Sequence, residues 1–113
     1  MAREIGVFVN EDGMTTVLNK PCQLVIFRKE QGLWNVGRKM SLKLGDAANL
    51  AELRIRMGEI ISFLDRCNIL LAEDFQGAAL HELEKAGAGL WEVIGKPEPL
   101  LDYILSEEEK SAF

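Results

Sequence analysis

The side chains of this sequence that could do chemistry are few, and they centre on one thiol and one loop. Cys22 follows Pro21 in what reads as a loop, and a thiolate exposed on an ordered loop suits iron or an iron-sulfur cluster. Glu73, Asp74, Gln76 and Gly77 follow the apolar run Asn68–Ala72 and precede a helical pattern. The backbone amides of Gln76-Gly77-Ala78-Ala79, at such a helix start, can hold an anion. Cys22, Glu73, Asp74, Gln76 and Gly77 therefore form the expected cofactor-binding set. The same segment also reads as a tight turn, because it matches neither GxGxxG nor a P-loop. His81 is the only histidine. It falls outside the Leu80 and Leu83 stripe and is expected in solvent, with metal ligation beside Cys22 as the alternative role.

Other chemistry is disfavoured. A two-metal nuclease needs carboxylates projecting from its first strand and the neighbouring one, whereas the inward positions of the first strand are Ile5, Val7 and Val9. Glu11 and Asp12 come only in the following turn, where Asp12 is expected to build the bend with Gly13, and Asp74 is expected to help cap the next helix. Cys67 and Cys22 fit no zinc spacing, and Cys67 reads as a structural thiol behind Phe63 and Leu64. No catalytic residue is assigned. Glu92, beside Trp91, is expected to be at least half-buried and to need a partner.

These residues must be positioned by strands and helices whose patterns are clear. Arg3–Asn10 alternates as a strand and ends at the turn Asn10-Glu11-Asp12-Gly13. Thr15–Leu18 reads as a short extension at a sheet edge or as loop. Gln23–Glu30 and Leu33–Leu42, joined by Gln31-Gly32, form an antiparallel hairpin. In the second of these strands Trp34, Val36, Arg38, Met40 and Leu42 are expected on one face. Asp46 is the expected N-cap of a helix over Ala47–Cys67 with the apolar stripe Leu50, Leu53, Met57, Ile60, Ile61 and Leu64. Within it Gly58 is expected to permit close packing on the sheet. Asn68–Ala72 is apolar without alternation, as a strand covered on both faces would be. A helix over Ala78–Ala86 with Ala79, Leu80, Leu83 and Ala86 inward follows, then a strand over Leu90–Ile94. A last helix starting at Pro97-Glu98-Pro99 buries Leu100, Leu101, Ile104 and Leu105, with a frayed end over Ser106–Lys110.

Short connections and right-handed crossovers arrange these elements as a mixed five-stranded α/β sheet of order 3-2-1-4-5, the second strand antiparallel, with helices on both faces. This is a ribonuclease H-like topology, expected as one domain over residues 1–113. In such sheets ligands sit beyond the carboxyl ends of the strands, which places the expected site near Glu73–Gly77.

The net charge of −5 argues against a nucleic-acid backbone as the main partner, since phosphate binding draws on clustered Lys and Arg. Arg28, Lys29, Arg38, Lys39 and Lys43 do gather in the first half, a weak sign of an anionic partner. No apolar run approaches the ~18 to 20 residues of a membrane span, and the start MAREIGVFV enters a strand pattern at once, so a cytoplasmic protein with reduced thiols is expected.

REIGVFVNEDGMTTVLNKPCQLVIFRKEQGLW, the LAELR helix, CNILLAEDFQG and above all LHELEKAGAGLWEVIGKPEPLLDYI resemble the accessory proteins of iron-only nitrogenase, the AnfO family. The topology is similar to that of NifX-type domains, which bind nitrogenase cofactors or their iron-sulfur precursors. The resemblance implies a non-enzymatic accessory protein that binds nitrogenase component proteins or an iron-containing cofactor intermediate, an iron-sulfur cluster or a related iron cluster. A metal-free protein-interaction or regulatory module is the alternative, and a small metal-dependent hydrolase a remoter one. The oligomeric state is left open.

Overall fold

The computed structural model describes residues 3–111. Its elements are β1 (Arg3–Val9), β2 (Cys22–Glu30), β3 (Leu33–Leu42), α1 (Leu50–Leu64), β4 (Ile69–Ala72), α2 (Gly77–Lys85), β5 (Gly89–Glu92) and α3 (Leu101–Ser111). The five strands form one sheet in the order β3-β2-β1-β4-β5. β2 is antiparallel to β1 and β3, while β4 runs parallel to β1 and β5. Order and directions are those expected from the hairpin and the crossovers. β4 is buried along its whole length, the reason its sequence shows no alternation.

Apolar side chains leave the sheet on both sides. Phe8, Leu24, Ile26 and Leu70 meet Met57, Ile60 and Leu64 of α1 and Leu83 of α2. On the other side Ile5, Val7, Val25, Phe27 and Leu71 meet Leu101, Ile104 and Leu105 of α3. Gly6 holds the centre of β1 free of bulk: a Cβ there would stand 2.7 Å from Leu70 Cδ2. Among the described residues no helix is long and apolar enough to cross a membrane.

Several expectations are corrected. The face expected along β3 is broken by a bulge, because the pairing jumps from Val25↔Lys39 to Phe27↔Val36. The extra residue lies at Gly37–Arg38 and exchanges the two faces. Met40 and Leu42 therefore pack under the helices α1 and α2, whereas Trp34 packs with α3 and Val36 is 51% exposed.

α1 starts later than expected, capped by Asn49 and not Asp46. The Asn49 carboxamide oxygen accepts from the Glu52 N–H at 2.9 Å, and the Glu52 carboxylate accepts from the Ala48 N–H at 2.8 Å, an arrangement close to a capping box. Asp46 instead ends a short 3-10 turn, Leu44–Asp46. Leu50, the first residue of α1, is half-exposed. Gly58 does not serve close packing, since a Cβ there would meet nothing within 4 Å. Ala86 is exposed beyond the end of α2. Leu100 lies outside the buried face, in the 3-10 turn Glu98–Leu100 that precedes α3. The expected frayed end is helical through Ser111. Its Glu108 accepts a hydrogen bond from the Trp91 indole.

Candidate functional site

The carboxyl ends of β1, β4 and β5 lie at one edge of the sheet, and the antiparallel β2 brings Cys22 to that edge opposite Leu42. The edge gathers Cys22 and the Glu73–Gly77 loop, as expected, but it is not an open crevice. The Asn10 carboxamide accepts from the Asp12 and Met14 N–H groups, so Asn10, more than Asp12, organises the turn, with Gly13 at φ +76°. The chain then folds back over the strand ends. Thr16 N–H donates to Phe8 O at 3.0 Å, Glu73 N–H to Thr16 O at 2.9 Å and Thr15 N–H to Gly95 O at 2.8 Å. Gly95 N–H in turn donates to the Thr15 hydroxyl at 3.1 Å. Thr15, Thr16 and Leu18 are buried in this cover. The segment read as an edge extension or loop thus occupies the place where a ligand was expected. Its only sequence signal is the short β-branched run Thr15-Thr16-Val17.

Cys22 is neither in a loop nor exposed. It is the first residue of β2 and 8% exposed, packed in the cluster that holds Leu18, Leu42, Leu44 and Phe75. Burial pushes its thiol up to about 11, away from the thiolate that metal ligation requires. Cys67 is buried as expected, and desolvation pushes it up to about 11 as well.

Glu73, Gln76 and Gly77 are exposed, and Asp74 is half-buried. Asp74 does not cap α2. Its carboxylate accepts from the Gln76 side chain, and the N-cap of α2, Gln76, makes no side-chain capping bond. Glu92 is exposed and not half-buried, because β5 ends there. Its carboxylate accepts from the Phe75 N–H at 3.4 Å. His81 is exposed on α2, as expected. Among the described residues no three His, Cys, Asp or Glu side chains stand close enough to hold a metal ion. With its thiol protonated and packed inward, this edge presents no assembled ligand set for an iron cluster among the described residues.

Two other features were not visible in the sequence. A shallow groove of about 430 Å³ lies at the opposite end of the sheet, lined by Arg3, Lys29, Asp102, Leu105, Ser106 and Glu109 among others. Its charges are internally paired: Lys29 with Asp102 at 2.7 Å, and Arg3 with Glu109. The hydrogen bond from Lys29, then that from the Trp34 indole, holds Asp102 below the usual carboxylate range. The second feature is Arg38. The bulge in β3 aims its guanidinium at the end of α1, where it donates to Phe63 O at 2.9 Å and Leu64 O at 3.2 Å and pairs with Glu4 at 3.1 Å.

Comparison with curated proteins finds no match. The family model described as iron only nitrogenase protein AnfO matches residues 4–113. By that match over nearly its whole length, the chain belongs to the AnfO family of iron-only nitrogenase proteins.

Proposed function

We propose that this chain is a non-enzymatic accessory protein that acts in the cytoplasm as one domain by binding a nitrogenase component protein. Family membership gives the association with iron-only nitrogenase. The observation that carries the binding role is the closed carboxyl edge: Thr15–Leu18 covers the strand ends and Cys22 is packed beneath. What the molecule offers a partner is therefore its surface. The sheet order supports placing the fold with ribonuclease H-like and NifX-type domains.

The test is direct binding of the full chain to purified iron-only nitrogenase components under anaerobic conditions, read by gel filtration and interferometry. A saturable complex is expected. No complex with any component overturns the proposal.

An iron-containing cofactor intermediate as cargo is the second reading, favoured by the arrival of Cys22 at the same edge as Glu73–Gly77. Anaerobic reconstitution with iron and sulfide, followed by visible spectra and iron analysis, decides it. A cluster that forms on the wild type and is lost in Cys22→Ala would establish this reading. Equal, substoichiometric iron in both proteins removes it.

A further inference from the structure

We propose that the outer edge of β3 is the docking strand of this protein, and that it takes an extended, carboxylate-bearing segment of a nitrogenase component by strand addition. This rests on the nitrogenase-binding reading above and names the surface that serves it.

β3 is the longest strand, with ten residues, and it ends the sheet. Its inner edge pairs with β2, and among the described residues no strand pairs with its outer edge. A strand of this length presents a row of outward N–H and C=O groups about 33 Å long. Such a row is a template for another extended chain.

The side chains along it select which chain. From Gln31 to Gly45 the sequence carries Arg38, Lys39 and Lys43 and no acid, in a protein of net charge −5. Arg38 is turned inward to α1 and Glu4. Lys39 and Lys43 are exposed and form no ion pair among the described residues. At the other end of the strand Leu33 is 69% exposed and Val36 51%. The occupant that matches is an extended segment with apolar residues against Leu33–Val36 and carboxylates against Lys39–Lys43.

The same features reject a second copy of this chain. A second copy has no carboxylate between Gln31 and Gly45 to set against Lys39 and Lys43 in any register, and the bulge at Gly37–Arg38 divides the edge into two short stretches, so that the side chains and not a long flat ladder select the partner. An acidic strand gains from the lysines that a second copy leaves unpaired, which gives specificity by difference.

The experiment measures binding of purified nitrogenase components to the wild type and to Lys39→Glu/Lys43→Glu, with Lys96→Glu as the control on the far side of the sheet. Hydrogen exchange of the free and bound wild type is followed alongside. The double variant is expected to bind at least about tenfold more weakly at low salt and the control within about twofold. Amides of β3 are expected to exchange more slowly in the complex. Binding of the double variant within about twofold of the wild type, or no added protection on β3 in the bound wild type, overturns the proposal. A wild type that binds no component overturns the nitrogenase-binding reading itself, a different and separately visible failure.

Discussion

Cys22 and Cys67 are two buried thiols whose environments hold the proton. Desolvation raises both to about 11 from the ordinary 9.0. A group whose folded value is raised contributes stability that is fully present below its unfolded value and is lost as pH rises through the folded one. The urea midpoint is thus expected to gain a downward slope between about pH 9 and 11 that is absent from a Cys22→Ala/Cys67→Ala variant. Identical slopes in the two proteins would refute the burial of the thiols. Thiol titration at pH 8 is expected to run at least about a hundredfold slower in the native protein than in urea, since two pKa units remove that share of thiolate. The inward position of Cys22 was legible in principle. Cys22, Leu24 and Ile26 stand in period-two register and share one cluster, but Pro21 before the cysteine reads as the end of a loop, so the strand pattern reads from Gln23, one residue after its true start. Glu92 departs in the opposite direction, because its neighbour Trp91 suggests burial while the strand ends at Glu92 itself.

The contact between β3 and α1 turns on Arg38, which satisfies two carbonyls of the helix's last turn and pairs with Glu4, whose side chain is 17% exposed. Its guanidinium fork can meet these groups together, and its Cζ lies over the Phe63 ring, 5.3 Å from the centroid. Lysine has no such fork. Arg38→Ala is expected to cost about 1 to 3 kcal/mol of unfolding free energy, and Arg38→Lys to recover less than half of it. Full recovery by lysine would show that charge alone matters. Gly58→Ala works the other way. The helix interior there opens to solvent with nothing within 4 Å of the added carbon, so alanine is expected to raise stability by about 0.5 to 1 kcal/mol, read from the urea midpoint. A loss would mean that a neighbour approaches this face. Helix boundaries were half legible: Asn49 and Glu52 carry a start signal three residues beyond Asp46, and either residue is an acceptable cap. The bulge was hidden because the pattern stays plausible across it, and Gly37 was its one sign.

Short connections and one fully buried strand determine most of the topology, which is why the strand order is legible in the sequence. A two-residue link between β2 and β3 allows only a hairpin, and the apolar run of β4 demands cover on both faces. The closure of the carboxyl edge was not readable in this way. Thr15, Thr16, Glu73 and Gly95 meet there from three separate parts of the chain, and no local pattern encodes such a meeting. The two faces of the sheet also differ in how they are covered. One has two helices, the other only α3, which is held by Leu101, Ile104 and Leu105 and by side-chain ties along its length. Asp102 accepts from Lys29 and from the Trp34 indole, and Glu108 from the Trp91 indole. Both tryptophans therefore report on the docking of this one helix. Opening of α3 exposes only one side of the sheet and leaves the α1 and α2 side packed, so it is expected as a local event below global unfolding. Ile104→Ala removes a side chain that is 1% exposed and is expected to cost about 2 to 4 kcal/mol. In that variant tryptophan emission should shift to the red and α3 amides should exchange faster, while amides of β1 and β4 keep their protection. Uniform acceleration across β1, β4 and α3 would show instead that the two faces unfold as one unit, with α3 as much a part of the core as α1.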